Sequence, residues 1–87
     1  MVELEHDEPG VYELGDARGA VVYIGSSDQL RRRLKEHLGE APFSCLRRHA
    51  MQYRVEHTAT YAARERELLA QHQHLHGHAP LCNNSGA

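Results

Sequence analysis

The chain has few of the features that mark specialised classes of protein. Its 87 residues include no tryptophan, one phenylalanine and only two cysteines. Two cysteines are too few for a disulfide-dense scaffold, and 40% hydrophobic with 25% charged residues excludes a disordered tail. The longest apolar run, residues 20–24, is far shorter than the roughly 20 residues that cross a bilayer. We expect one domain over residues 1–87, with a core of about residues 8–83.

No secretory signal is apparent, because the acidic N-terminal segment lacks an apolar stretch. We therefore expect a soluble, cytoplasmic protein with no membrane partner. Cys45 and Cys82 stand 37 positions apart and neither belongs to a CxxC motif. In a reducing compartment the expectation is two reduced thiols, with a disulfide or a metal-binding pair as the alternatives.

The net charge of −2 conceals an uneven distribution of charge along the chain. Residues 1–16 carry six acidic side chains and no lysine or arginine, whereas residues 30–54 are basic. The net charge of the whole molecule does not favour binding to nucleic acid, but the positive charge of residues 30–54 does. The basic residues there are Arg31, Arg32, Arg33, Lys35, Arg47, Arg48 and Arg54.

A β-hairpin is predicted near the N-terminus. Residues 11–14 and the β-branched residues 20–24 have the composition of strands, and glycines and Asp16 mark the turn between them. A loop of residues 16–19 would place Tyr12 directly opposite Tyr23, with both side chains on one face.

The rest of the chain predicts helices and one more strand. Leu30, Leu34 and Leu38 form the buried stripe of a helix that ends at Gly39. Its cap is Ser26, in a capping box with Gln29, or alternatively Ser27. A short helix is expected within residues 42–50 with Phe43 facing inward, followed by a strand within residues 51–57. Thr58 or Thr60 caps a last helix, which buries Leu68 and Leu69 and ends at Gly77. The fold class is therefore α/β (α+β): a small three-stranded, mainly antiparallel sheet flanked by helices, in the order β-β-α-(α)-β-α.

Chemically active side chains recur in this framework. The two tyrosines are followed by Arg33 and His37, which share one side of the first helix because they are four residues apart. Arginine binds phosphate oxygens in a bidentate manner, and histidine or an activated tyrosine moves a proton, so the set suits a phosphodiester substrate.

The pattern closely resembles the GIY-YIG nuclease domain. Gly10-Val11-Tyr12 is followed after ten residues by Tyr23-Ile24-Gly25, and then by Arg33 and His37. The resemblance implies that a helical glutamate followed by two hydrophobic residues binds one divalent cation, Mg²⁺ or Mn²⁺. Glu65, followed by Leu68 and Leu69, matches that pattern, with Glu67 as the alternative ligand. It also implies a later asparagine in the site, which Asn83 supplies after Pro80.

Ordinary structural roles remain open for these residues. The tyrosines could be core aromatics, Arg33 and Glu65 could be solvated charges, and His37 could interact with the dipole of the helix end. Four histidines lie at alternate positions from His72 to His78, where only the pairs 72/76 and 74/78 could share an ion, and neither has an evident third ligand.

The resulting hypothesis is a metal-dependent endonuclease that hydrolyses DNA phosphodiester bonds in DNA repair or processing. Its catalytic residues would be Tyr12, Tyr23, Arg33, His37, Glu65 and Asn83. Arg31, Arg32, Lys35, Arg47 and Arg48 would bind the DNA. DNA is the expected partner, together with a protein partner that supplies DNA targeting. The alternative is a catalytically silent module of the same fold that binds nucleic acid or a protein partner.

Overall fold

The computed structural model describes residues 6–84. A three-stranded antiparallel sheet in the order β2-β1-β3 is flanked by helices, which confirms the predicted fold class. No helix within these residues is long and apolar enough to cross a membrane. The elements in chain order are β1 (Gly10–Gly15), β2 (Val21–Ser27), α1 (Leu30–Leu38), α2 (Cys45–His49), β3 (Gln52–His57), α3 (Tyr61–His76) and a final 3₁₀ turn (Leu81–Asn84).

The predicted register of the hairpin is wrong by two residues. Tyr12 lies opposite Gly25, and Tyr23 lies opposite Leu14. One residue of the shift comes from a loop that runs over residues 16–20, and the other from an irregularity in pairing after Leu14. The side chain of Asp16 stabilises the loop by accepting hydrogen bonds from the backbone N–H groups of Arg18 and Ala20. Because an even shift preserves the face, the two tyrosine rings still meet, with centroids 6.0 Å apart.

The two faces of the sheet carry different helices. Tyr12 and Leu14 face α1 and α2, where the main hydrophobic cluster lies. The alternate side chains of β1 and β2, including Val11 and Ser26, face α3. The main cluster consists of Tyr12, Leu14, Val22, Leu30, Leu34, Leu46 and Cys82.

Helix α1 buries a stripe that differs from the predicted one. Leu30 and Leu34 are buried, but Leu38 is 57% exposed and His37 is only 6% exposed. At about 100° per residue, position 37 points within about 20° of Leu30, whereas position 38 is about 80° away. The helix begins after Gln29 without a side-chain cap, so the predicted capping box is wrong. Ser26 and Ser27 instead end strand β2.

The other helices agree with prediction only in part. Helix α2 covers the second half of its expected range, and Phe43 before it is 79% exposed rather than inward-facing. Thr60 and Gly77 bound α3 as expected, although the Thr60 side chain makes no cap hydrogen bond. Gly77 adopts a positive φ of 78° at the C-cap. Leu68 and Leu69 are half-buried rather than buried, because α3 covers one face of a small sheet and its outer side faces solvent.

The expectation of two reduced thiols is wrong, since Cys45 and Cys82 form a disulfide. The bond joins the start of α2 to the 3₁₀ turn at the end of the described chain. Spacing in the sequence gives no indication of this contact. The final turn returns to α2 and brings the two Cα atoms to 5.6 Å, which is within the range that a disulfide requires.

Candidate active site

Tyr12 is at the centre of the candidate site. Its side chain is 1% exposed, and its ring lies directly on Gly25 of the neighbouring strand. A Cβ atom at position 25 would lie 2.5 Å from the Tyr12 hydroxyl and 2.9 Å from the ring of Tyr23. The glycine of the Tyr23-Ile24-Gly25 segment is therefore required by close packing of the two tyrosines.

His37 joins the tyrosine pair from helix α1. Its Nε2 atom is 2.7 Å from the Tyr12 hydroxyl, and its ring centroid is 5.3 Å from that of Tyr23. On the other side of the ring, Nδ1 is 2.7 Å from Oε2 of Glu40. The structure thus brings Tyr12, Tyr23 and His37 together, as the sequence pattern predicted, and adds Glu40 to them.

Burial decides the protonation of the two central groups. Burial raises the pKa of Tyr12, and the nearby Tyr23 raises it further, while the positive charge of Arg33 and its hydrogen bond act in the opposite direction. Burial also lowers the pKa of His37 below its ordinary value, against the smaller opposing effect of Glu40. At neutral pH the site therefore contains a protonated phenol and a neutral imidazole.

Arg33 supplies positive charge beside these groups. Its guanidinium donates a 2.8 Å hydrogen bond to Oε1 of Glu36, one turn along α1. The hydrogen bond to Glu36 raises the pKa of Arg33, so the group stays charged. The Arg33 side chain is 42% exposed, so it can contact a substrate while it also interacts with Tyr12.

The two candidate metal ligands occupy different environments on α3. Glu65 is half-buried, and its carboxylate accepts a hydrogen bond from the hydroxyl of Ser26. Ser26 follows Gly25 along β2, but its side chain faces α3, on the opposite side of the sheet from the Tyr12 ring. Glu67 has 64% of its side chain exposed and lies 3.5 Å from the guanidinium of Arg64.

Asn83 makes two hydrogen bonds to the backbone of β2. Its amide oxygen accepts from the N–H of Ile24, and its amide nitrogen donates to the carbonyl of the same residue, both at 3.0 Å. Ile24 lies between Tyr23 and Gly25. Asn83 therefore anchors the final turn to the strand that carries the tyrosine and the glycine of the site.

The basic residues assigned to DNA binding are exposed on α1 and α2. Arg47 differs from the others because its guanidinium donates hydrogen bonds to the carbonyls of Leu38 and Glu40, at 2.5 and 3.1 Å. It thereby satisfies carbonyl groups at and beyond the end of α1. The side chains of Arg31, Arg32, Lys35 and Arg48 have no such partner within residues 6–84.

Sequence reasoning missed two residues of the site. Glu40 is three residues from His37, a spacing at which helical side chains meet, but it follows Gly39 and so lies beyond the predicted helix. Ser26 was interpreted as a helix cap, and its contact with Glu65 joins residues 39 positions apart. A local sequence signal existed only for Glu40.

Three histidines cluster at the end of α3: the predicted pair His72 and His76, joined by His78. The rings of His72 and His76 are 4.3 Å apart, and His78 approaches both because the chain turns at Gly77. Over residues 6–84 there is no group of three or more metal-binding side chains arranged to hold an ion.

Solved structures identify the class of fold. The chain is similar to the GIY-YIG N-terminal endonuclease domain of UvrC from Thermotoga maritima, solved with its catalytic divalent cation, magnesium. The TM-score is 0.68 at 24% identity, and the match covers 94% of this chain and 90% of that chain. A point mutant of the same domain, also bound to the catalytic divalent cation, matches with a TM-score of 0.67 at 23% identity, covering 94% and 89% of the two chains. The chain has the GIY-YIG fold, which confirms the resemblance seen in its motifs.

The chain belongs to the family described as "Domain of unknown function (DUF7508)", whose family model matches residues 2–75. Curated relatives include UvrABC system protein C from Salmonella heidelberg, 30% identical over 79 residues, and from Proteus mirabilis, 31% identical over 84 residues. Each match covers 87% of this chain but only 13% of the relative. The chain therefore spans about an eighth of the length of these relatives.

Proposed function

We propose that this domain is a divalent-metal-dependent endonuclease that hydrolyses phosphodiester bonds of DNA in repair or processing. The observation that carries the proposal is the buried Tyr12 hydroxyl, 2.7 Å from a neutral His37 and close to the charge of Arg33. A phenol between a base and a cation can transfer a proton at a bound phosphate. The similarity to the endonuclease domain of UvrC supports the same class of reaction.

Glu65 would hold the cation. Within residues 6–84 its carboxylate has Ser26 as its one hydrogen-bonding partner, so oxygen lone pairs remain for a metal ion. Mg²⁺ is commonly bound through one or two carboxylates and completes its shell with water and substrate phosphate oxygens. A single half-buried glutamate therefore fits Mg²⁺ or Mn²⁺. When bound, the cation would stabilise the negative charge that develops on the phosphate and the leaving oxygen.

The chain's own residues would bind the phosphate and move the proton. Arg33 would donate hydrogen bonds to the phosphate oxygens and stabilise their charge in the transition state. Tyr12 would take a proton from the attacking water after passing its own proton to His37. Since burial raises the pKa of Tyr12 and lowers that of His37, this transfer requires the positive charge of Arg33 and of a bound cation to lower the pKa of Tyr12. Tyr23 would orient both rings, and Asn83 would hold β2 in place.

DNA would approach the β2 edge of the sheet, which lies between Glu65 of α3 on one face and the helices α1 and α2 on the other. The exposed basic residues of these helices would contact successive phosphates and offset the net negative charge of the molecule. Arg47 would contribute less than the others, because its guanidinium already binds two backbone carbonyls. A partner protein would direct the domain to its site on DNA.

Cleavage by Glu65→Gln is the test of this function. The substitution keeps the shape of the side chain but removes the charge that holds the cation. We expect nicking of supercoiled plasmid, and cleavage of flapped and nicked duplexes, to fall about a thousandfold with Mg²⁺ or Mn²⁺. DNA affinity, measured by fluorescence anisotropy without metal, should be retained or improved, because a repelling carboxylate is absent.

Glu67→Gln is the comparison variant, and we expect near-parental cleavage. Glu67 lies two residues further along α3, about 200° around the helix, and its neighbour is Arg64. The reverse pattern of activities would move the ligand to Glu67. Equal, small effects would mean that neither residue binds the metal. If the parent cleaves none of the substrates with either cation, the domain is the catalytically silent binding module.

A further inference from the structure

His37 has a second hydrogen-bonding partner that points away from the tyrosines. Glu40 follows the end of α1, and its Oε2 atom is 2.7 Å from His37 Nδ1. Nε2 of the same ring is 2.7 Å from the Tyr12 hydroxyl. A continuous chain of hydrogen bonds therefore runs from Glu40, which is partly exposed, to the fully buried Tyr12.

We propose that Glu40 is a positioning residue for His37, which it holds in the tautomer that accepts the Tyr12 proton. An ionised carboxylate only accepts hydrogen bonds, so His37 Nδ1 must carry the hydrogen of the Glu40 contact. In the neutral ring Nε2 is then left with its lone pair, and the Tyr12 hydroxyl donates to it. This inference rests on the proposed function, in which His37 is the proton acceptor.

The reaction begins with the transfer of the Tyr12 proton to His37. The O–H bond of Tyr12 breaks and an N–H bond forms at His37 Nε2, which leaves a phenolate and an imidazolium. The phenolate takes a proton from the attacking water, and the resulting hydroxide forms a P–O bond as the bond to the leaving oxygen breaks. His37 releases its proton to solvent and the leaving oxygen takes one from solvent, so one water is consumed. Glu40 compensates the charge of the imidazolium during this step.

Other charged and titratable groups also face His37, and their effects must be separated from that of Glu40. Among them, Arg33 lowers the pKa of His37, while Glu36 raises it less than Glu40 does. Removal of the Glu40 charge should therefore lower the pKa of His37 still further. The surrounding groups are Tyr12 from β1, Tyr23 from β2, Arg33 and Glu36 from α1, Arg47 from α2 and Tyr53 from β3.

The first measurement is an NMR titration of the His37 ring nitrogens in the full chain, which requires no cleavage. In the parent we expect hydrogen on Nδ1 and a lone pair on Nε2 in the neutral form. Glu40→Gln should lower the pKa of His37, and Glu40→Ala should also give a mixture of tautomers. Asp28→Asn removes an equal charge from an exposed position before α1 and should change neither property. Parental pKa and tautomer in both Glu40 variants would overturn the proposal.

The second measurement is the pH dependence of kcat/KM for DNA cleavage. For Glu40→Gln we expect the acid limb to move to lower pH and the plateau to fall about 10- to 100-fold. A uniform fall with an unmoved acid limb would indicate a merely structural role and would contradict the proposal. If the parent cleaves no DNA, the proposed function fails, whereas the NMR titration still decides whether Glu40 sets the tautomer of His37.

Discussion

Gly25→Ala tests whether close packing on β2 sets the position of the tyrosine pair. The added Cβ atom would lie 2.5 Å from the Tyr12 hydroxyl and 2.6 Å from Cζ, whereas ordinary contacts begin at 3.4 Å. The Tyr12 ring must therefore move by roughly 0.9 Å, the difference between those distances. Because Tyr12 is 1% exposed and packs within the main hydrophobic cluster, the ring can move only if its neighbours move with it.

Two effects of measurable size should follow from that displacement. Overpacking of a core by one methyl group costs about 1–3 kcal/mol, which in a domain of this size lowers Tm by about 4–24 °C. Misplacement of a reacting group by about 1 Å costs about 100-fold in rate. We expect both losses in Gly25→Ala, by differential scanning calorimetry and by plasmid nicking.

Gly39→Ala is the matched control, since it introduces the same methyl group at a position with room for it. A Cβ there would lie 3.6 and 3.8 Å from backbone oxygens, and φ is −89°, which alanine adopts readily. We expect parental cleavage and a Tm that is not lowered but rises by about 2–8 °C, because alanine restricts the unfolded chain. If Gly25→Ala melts and cleaves like the parent, the Tyr12 ring is not held against β2 as described.

Two further predictions concern the end of the described chain. Asn83→Ala should lower the free energy of unfolding by about 2–3 kcal/mol in urea denaturation, because it leaves the N–H and carbonyl of Ile24 without their partner. Asn83→Asp should not restore stability, since a carboxylate cannot donate to the carbonyl. A parental urea midpoint in either variant would contradict the described anchor. Reduction with dithiothreitol should lower the free energy of unfolding by about 4 kcal/mol, the entropic cost for a loop closed between residues 37 positions apart. The Cys45→Ala variant should show no effect of the reductant, and titration of two free thiols in the unreduced parent would refute the disulfide.

Much of the fold could be predicted because its signals are local. Residues 11–14 and 20–24 have strand composition, and the leucines of α1 recur at helical spacing. Glycines mark the ends of α1 and α3. The order of elements therefore followed from the sequence, while the register of the hairpin did not. Register depends on how the loop closes around Asp16 and where the pairing becomes irregular, and neither has a distinct sequence signal.

The site was predictable where its residues share one element or one hairpin. Tyr12 and Tyr23 lie together because an even register shift keeps both tyrosines on one face. The same residues could not have revealed the protonation of the site. The raised pKa of Tyr12 and the lowered pKa of His37 both come mainly from burial, which depends on all the elements that surround the two rings.

The sequence by itself determined the element order, the shared face of the tyrosines and the likeness to the GIY-YIG domain, because each depends on residue types at short separations. Only the tertiary structure decided which contacts form between distant segments. It joined Cys45 to Cys82, Asn83 to the backbone of Ile24, and Ser26 to Glu65. Those contacts form where the last helix and the final turn pack against β2 and α2, and packing of this kind depends on the whole core rather than on spacing along the chain.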